Sequence, residues 1–195
     1  SGYYPASRKY ICSPWHALMN TSLVLQGVII LAGTASIHDA FEPGLTRTVG
    51  LILFALSGPG IAVVGLYPEN VSHPVHAFGA TVYFVAGNLG IVVLGIAIRH
   101  YQWAVAAYSV GSAIVGLLAT VLFLAEIPLG LGVGGMERLA ACPQPLWTVV
   151  VGSLLLRRPK RFGSATAVRL GATAHIDDPL SVNSTEKHCV NPSES

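Results

Sequence analysis

Four long stretches with almost no charge decide what this chain can become. Residues 18–37, 45–66, 75–98 and 103–125 are nearly all apolar; none contains Lys or Asp, and Arg47 lies at an end. A helix rises about 1.5 Å per residue, so about 20 mostly apolar residues cross the roughly 30 Å of hydrocarbon in a bilayer. Each run has that length. None alternates polar and apolar residues over about 10 positions, as a barrel strand would. Composition agrees. Of 195 residues, 52% are hydrophobic and only 10% charged, against roughly 25% charged in soluble domains. A soluble fold this poor in charge could not cover its surface. The expected fold is an all-α, polytopic transmembrane helix bundle.

A fifth run is shorter. The stretch PLWTVVVGSLLL has 12 residues, about 18 Å of helix, too little alone. Extended back to Gly134 it spans, and then carries Glu137, Arg138, Pro143 and Pro145 in its outer part. The prolines would kink it. The other reading is a separate short surface segment before the prolines. The kinked span is preferred and gives about five spans within residues 18–158. Residues 1–17 are then an extracytoplasmic segment. Residues 159–195, rich in Ser, Thr, Asn and Pro and without aromatics after Phe162, read as a disordered cytoplasmic tail.

Lys and Arg orient the bundle. The basic run RRPKRF follows the last span, so the C-terminus is expected in the cytoplasm. Five alternating spans put Arg47, Arg99, Arg157, Arg158, Lys160, Arg161 and Arg169 inside, and Arg8, Lys9 and Arg138 outside. The net charge of +2, without a basic and aromatic patch, excludes nucleic acid as a partner. Membrane lipids are the expected surroundings. Three Asn-x-Ser/Thr triplets begin at Asn20, Asn70 and Asn183. Only Asn70 lies in an outer loop, and glycosylation there would need a eukaryotic host.

This topology gathers polar residues at one interface. The outer face collects Cys12, His16, Asn20, Glu69, Asn70, His73, His76, Glu126, Glu137, Arg138, Cys142 and Gln144. At 100° per residue, Gly79, Ala80, Tyr83, Gly87 and Gly90 fall within about 60° of His76, so one face of the third span is small or polar. Asn88 lies off that stripe and should bond to another helix. The ligand-pocket candidates are therefore His16, Glu69, Asn70, His76, Tyr83, Asn88, Glu126, Glu137 and Arg138. The bland alternative is that His76 and Tyr83 only satisfy hydrogen bonds between helices. A zinc site from His16, Glu69, His73 and His76 offers suitable N and O ligands, yet Pro74 disfavours helix at His73 and no His-Glu-x-x-His motif is present. Arg138 has Glu126 or Glu69 as prospective partners, and Glu137 has His16 or His76. Cys12 and Cys142 share the oxidising side and are a disulfide candidate; Cys189 should be a free thiol. No Gly-x-Ser-x-Gly elbow or phosphate loop appears.

The stretches CSPWHALMN, GLYPENVSHPVHAFGATVYFVAGN and GGMERLAACPQPLWTVVVGSLLL resemble the polytopic membrane family catalogued as domain of unknown function nine-nine-eight. The resemblance covers about residues 10–156. It carries over to Pro68, Glu69, Asn70, His76, Gly79, Ala80, Gly87, Asn88, Glu137, Arg138, Pro143 and Trp147. The family usually has about six spans, the first before the Cys-Ser-Pro segment; with five counted here, the resemblance implies that a leading span is missing from this chain. Where the family often has Tyr before Pro, this chain has Cys142, which favours pairing with Cys12. The resemblance implies no activity.

Three functions follow as expectations. The first is a membrane protein that binds or senses a lipid or small apolar molecule through an outer-face His/Glu/Arg pocket. The second is a metal-dependent membrane-embedded hydrolase or transferase. The third is a small transporter, ranked last because the mid-membrane region offers Tyr83 and Asn88 but no carboxylate.

Overall fold

The computed structural model describes residues 2–3, 10–127 and 129–157. The proposed tail, Arg8, Lys9 and Cys189 lie outside them. Apart from a two-residue antiparallel pairing of β1 (Gly2–Tyr3) with β2 (Tyr10–Ile11), the described chain is helix and loop. The helices are α1 (His16–Ile37), α2 (Leu45–Leu66), α3 (His73–Ile98), α4 (Trp103–Leu124), α5 (Gly132–Ala141) and α6 (Pro143–Arg157). A 3₁₀ turn at His38–Ala40 extends α1. The first four helices, with α5 and α6 together as the fifth, are long and apolar enough to cross a membrane. The protein has the architecture of a multi-pass membrane bundle.

Large apolar side chains cover the outside. Leu25, Val28, Ile29, Ile52, Leu118, Val121 and Val149 are all exposed. In water such a surface would drive association; in a bilayer it is the lipid-facing wall. Because lipid tails are as apolar as leucine, helices must gain from close packing instead, and small residues permit it. Glycine pairs supply this here. A Cβ on Gly27 would stand 2.5 Å from the Gly58 carbonyl oxygen, and one on Gly79 would stand 2.8 Å from that of Gly60. Thus α1 touches α2, and α2 touches α3, backbone to backbone.

Two ends can be told apart. At one, the α1–α2 turn wraps Arg47, whose guanidinium donates to the carbonyls of His38 and Phe41, 3.4 Å each. Glu42 accepts from the Tyr101 hydroxyl, and that neighbouring carboxylate holds the Tyr101 phenol above its ordinary range. The opposite end carries the α2–α3 and α4–α5 turns.

The fifth span is broken where the prolines stand. The last α5 bond runs from Cys142 N–H to the Arg138 carbonyl (2.8 Å), and the ladder resumes with Leu146 N–H to the Cys142 carbonyl (3.2 Å). Pro143 and Pro145 have no N–H, so carbonyls of the last α5 turn lose their helical donors. The kink has a named cause, and the kinked-span reading holds.

Candidate functional site

Of the residues expected to line an outer-face pocket, Glu69 and His73 pair with each other, while His16, His76 and Arg138 bond to backbone carbonyls. His16 is exposed, and its Nδ1 donates to the Ser13 carbonyl (2.8 Å), which starts α1. Glu69 and His73 pair across one turn at 3.4 Å (Oε1–Nδ1), both partly in solvent. Asn70 is half-buried in the turn. His76 Nδ1 donates to the Tyr67 carbonyl at 3.1 Å, so its ring caps the end of α2. Glu137 is exposed, and exposed Arg138 donates to the Gly134 carbonyl of its own helix (2.8 Å). Neither forms the ion pair anticipated for it among the described residues. The physical reason is exposure: charges at a helix rim are solvated and need no partner. No three His, Cys, Asp or Glu side chains converge as metal ligands among the described residues. Cys12 and Cys142 are both free and exposed, so the anticipated bridge is not formed.

Glu126 has a backbone explanation. It closes α4 in the left-handed region (φ 58°). Its N–H bonds to the Phe123 carbonyl (3.1 Å), and Ile127 N–H bonds to that of Leu122 (2.9 Å). This pair of reversed bonds ends helices on a left-handed residue, usually glycine.

The polar residues that do meet lie deeper, around the kink. Tyr83 is 1% exposed. Gln26 of α1 donates to its hydroxyl (2.9 Å), and that hydroxyl donates to the Ala141 carbonyl (3.3 Å). Ala141 is the residue whose carbonyl Pro145 deprives of a donor. Asn88 Nδ2 donates to the Phe84 carbonyl in its own helix (2.8 Å) and to the Ala140 carbonyl in α5 (3.4 Å). Gln144 donates back to the Tyr83 carbonyl (2.8 Å). Two residues of α3 therefore donate to two carbonyls at the break, those of Ala140 and Ala141. This is how irregular backbone is tolerated within a membrane.

Glycines make room for these amides. A Cβ on Gly87 would stand 2.0 Å from Gln144 Oε1, and one on Gly116 would stand 2.5 Å from Asn88 Oδ1. Further along α6, the Trp147 indole donates to Ser109 of α4 (2.8 Å) and packs edge-on against Phe54 of α2, with ring centroids 5.1 Å apart. Gln26 and Ser109 were not singled out in the sequence, and Gln144 and Trp147 were singled out only as an outer-face polar residue and as part of the family resemblance. Proline twice within three residues of a span was the usable signal: freed carbonyls require donors nearby.

Trp147 also borders a cleft. Between α1, α2 and α6 lies a space of about 320 Å³, lined by Ile30, Gly33, Ile37, Phe54, Trp147, Val151, Gly152, Leu155 and Leu156. Its hydroxyls belong to Ser36 and Thr148. Both donate to carbonyls four residues back, Ala32 (2.8 Å) and Gln144 (2.9 Å). The walls are effectively apolar, and the volume sits at the lower end of ligand-site sizes, about 300–1,000 Å³.

A family model described as "Protein of unknown function (DUF998)" matches residues 6–154. No curated protein and no solved structure matches the chain.

Proposed function

The chain belongs to that family of unknown function, and from this starting point we propose that it is an integral membrane protein whose α1–α2–α6 cleft binds the apolar chain of a membrane lipid or a similar small molecule. The observation that carries the reading is the cleft itself: about 320 Å³ of apolar space beside the buried Trp147 indole. The outer-face residues serve a different end in this account. They cap helices, as His76 does, or remain in solvent, as Glu137 does.

A metal-dependent hydrolase would need ligands and a general base brought together. Glu69 and His73 are within reach of each other, but His16 and His76 are engaged with backbone carbonyls elsewhere. A proton-coupled transporter would need a titratable group near the membrane centre, and the network there is built from amides and a phenol.

The test is occupancy. A Cβ on Gly33 or Gly152 meets nothing within 4 Å, so Gly33→Leu and Gly152→Leu should fill the cleft without disturbing packing. Native mass spectrometry of protein released from lipid nanodiscs should show about one retained lipid per chain, lost in the double variant at unchanged melting temperature. Equal retention in both proteins would refute the reading.

A further inference from the structure

Apolar walls alone cannot select one occupant. An acyl chain leaves one hydrocarbon environment for another when it enters the cleft, so the hydrophobic effect contributes little. Selection then falls to shape and to the few polar atoms on the walls. Two lining residues carry hydroxyls, Ser36 on α1 and Thr148 on α6.

Both hydroxyl protons are already committed. Ser36 Oγ donates to the Ala32 carbonyl (2.8 Å), and Thr148 Oγ1 donates to the Gln144 carbonyl (2.9 Å). A hydroxyl has one proton and two lone pairs, so each oxygen keeps its capacity to accept. Among the described residues, no group donates to either oxygen. The Trp147 indole N–H is committed as well, to Ser109 Oγ (2.8 Å). Backbone N–H groups of the lining residues lie within α1, α2 and α6 and bond along those helices. The walls therefore offer acceptors and no donor. An ester or ether oxygen finds no partner on them, whereas a hydroxyl proton does.

The two acceptors differ in depth. Ser36 is exposed and precedes Ile37, the last residue of α1; His38 and Asp39 follow, where the chain turns polar. Thr148 is half-buried and follows Trp147, nearer the break in the fifth span. A polar group is costly to bury in hydrocarbon, so an amphipathic molecule keeps its polar end toward water. Ser36 suits that orientation. The hydrocarbon end then has the open space beside Gly33 and Gly152, where a Cβ would meet nothing within 4 Å.

We propose that the cleft takes an apolar alcohol, whose terminal hydroxyl donates to Ser36 Oγ and whose hydrocarbon body reaches toward Trp147. The inference rests on the cleft reading and adds to it the class of ligand.

The experiment uses the full chain with Trp15→Phe and Trp103→Phe, which leaves Trp147 as its tryptophan, in phosphatidylcholine nanodiscs. The probes are ω-bromododecanol and its methyl ether, which lacks the hydroxyl proton. Quenching of Trp147 is read against the same protein carrying Gly33→Leu and Gly152→Leu, whose response reports bromine in the surrounding lipid. Above that baseline the alcohol should reach half-maximal quenching at about one-fifth of the membrane concentration that the ether needs, the effect of one net hydrogen bond. The preference should vanish in Ser36→Ala and persist in Ser36→Thr and Thr148→Val, at unchanged melting temperature. Equal quenching by the two probes, or a preference that survives Ser36→Ala, overturns the hydroxyl assignment and leaves the cleft reading standing. A preference lost in Thr148→Val also overturns it, because the deeper acceptor would then be the one in use. Quenching by neither probe above the baseline overturns both.

Discussion

Tyr83 donates its phenolic hydroxyl to the Ala141 carbonyl, 3.3 Å away across the α3–α5 interface. That carbonyl lies four residues before Pro145, whose ring nitrogen has no proton to give it. Tyr83→Phe keeps the ring buried but strands both Ala141 and Gln26. An average hydrogen bond between membrane helices is worth about 0.6 kcal/mol, whereas leaving a buried group unsatisfied costs about 1–3 kcal/mol. The loss should therefore be about 1–2 kcal/mol in reversible detergent unfolding. Pro145→Ala restores an N–H in α6, so the same change should cost less there. A double-mutant cycle measures the difference. A full, undiminished cost in both backgrounds would refute the staple.

Glycine positions divide by what they face. At Gly87 and Gly116 the obstacles are side-chain amides, those of Gln144 and Asn88. At Gly60 the obstacles include backbone, the Tyr83 nitrogen at 2.8 Å and the Gly79 oxygen at 2.9 Å. Gly87→Ala should destabilise by about 1–3 kcal/mol, as overpacking does, and Gln144→Ala in the same chain should recover part of it. Gly60→Ala should have no comparable rescue, because a helix must move. Gly111→Ala, with nothing within 4 Å, is the matched neutral control. Melting temperatures of the four proteins check the ordering.

The left-handed cap at Glu126 gives a change of opposite sign. A non-glycine residue there costs about 1–2 kcal/mol. Glu126→Gly should recover about 0.5–1 kcal/mol of that in equilibrium unfolding, less the entropy that glycine adds to the unfolded chain. A loss of stability instead would mean that the carboxylate has a role which its exposure conceals.

Charges at the end that carries the α2–α3 and α4–α5 turns should matter little. Glu137→Ala and Arg138→Ala should each change stability by no more than about 0.5 kcal/mol, and their effects should add. Glu69→Ala removes a partly exposed pair with His73, worth about 0–1 kcal/mol. His76→Ala leaves the Tyr67 carbonyl without its side-chain donor and should cost about 1 kcal/mol. A strongly non-additive loss in the Glu137→Ala, Arg138→Ala pair would restore the idea of an outer network.

The spans were legible because each apolar run between charged turns has one membrane's thickness. The kink was legible too, since Pro143 and Pro145 sit within a run that needs them in order to span. The partners of the polar residues were not. Helical spacing shows that Gly79, Tyr83 and Gly87 share a face of α3, but not that Gln144 enters the Gly87 notch, which depends on how α6 leans after the kink. Reading Glu69, His76, Glu137 and Arg138 as one cluster took a shared membrane interface for contact. Loops at one interface can stand a helix diameter or more apart. The cleft left no trace in sequence, because Gly33 and Gly152 look like every other glycine here until the helices are placed.

The most direct measurement uses Trp147 as the reporter. With Trp15→Phe and Trp103→Phe, it is the remaining tryptophan, and at 1% exposure it is shielded from bulk lipid. In vesicles whose acyl chains carry bromine, a chain lying in the cleft should quench its fluorescence strongly, and Gly33→Leu with Gly152→Leu should relieve that quenching. Quenching that is equally strong with the cleft filled, or weak in both proteins, would contradict the account.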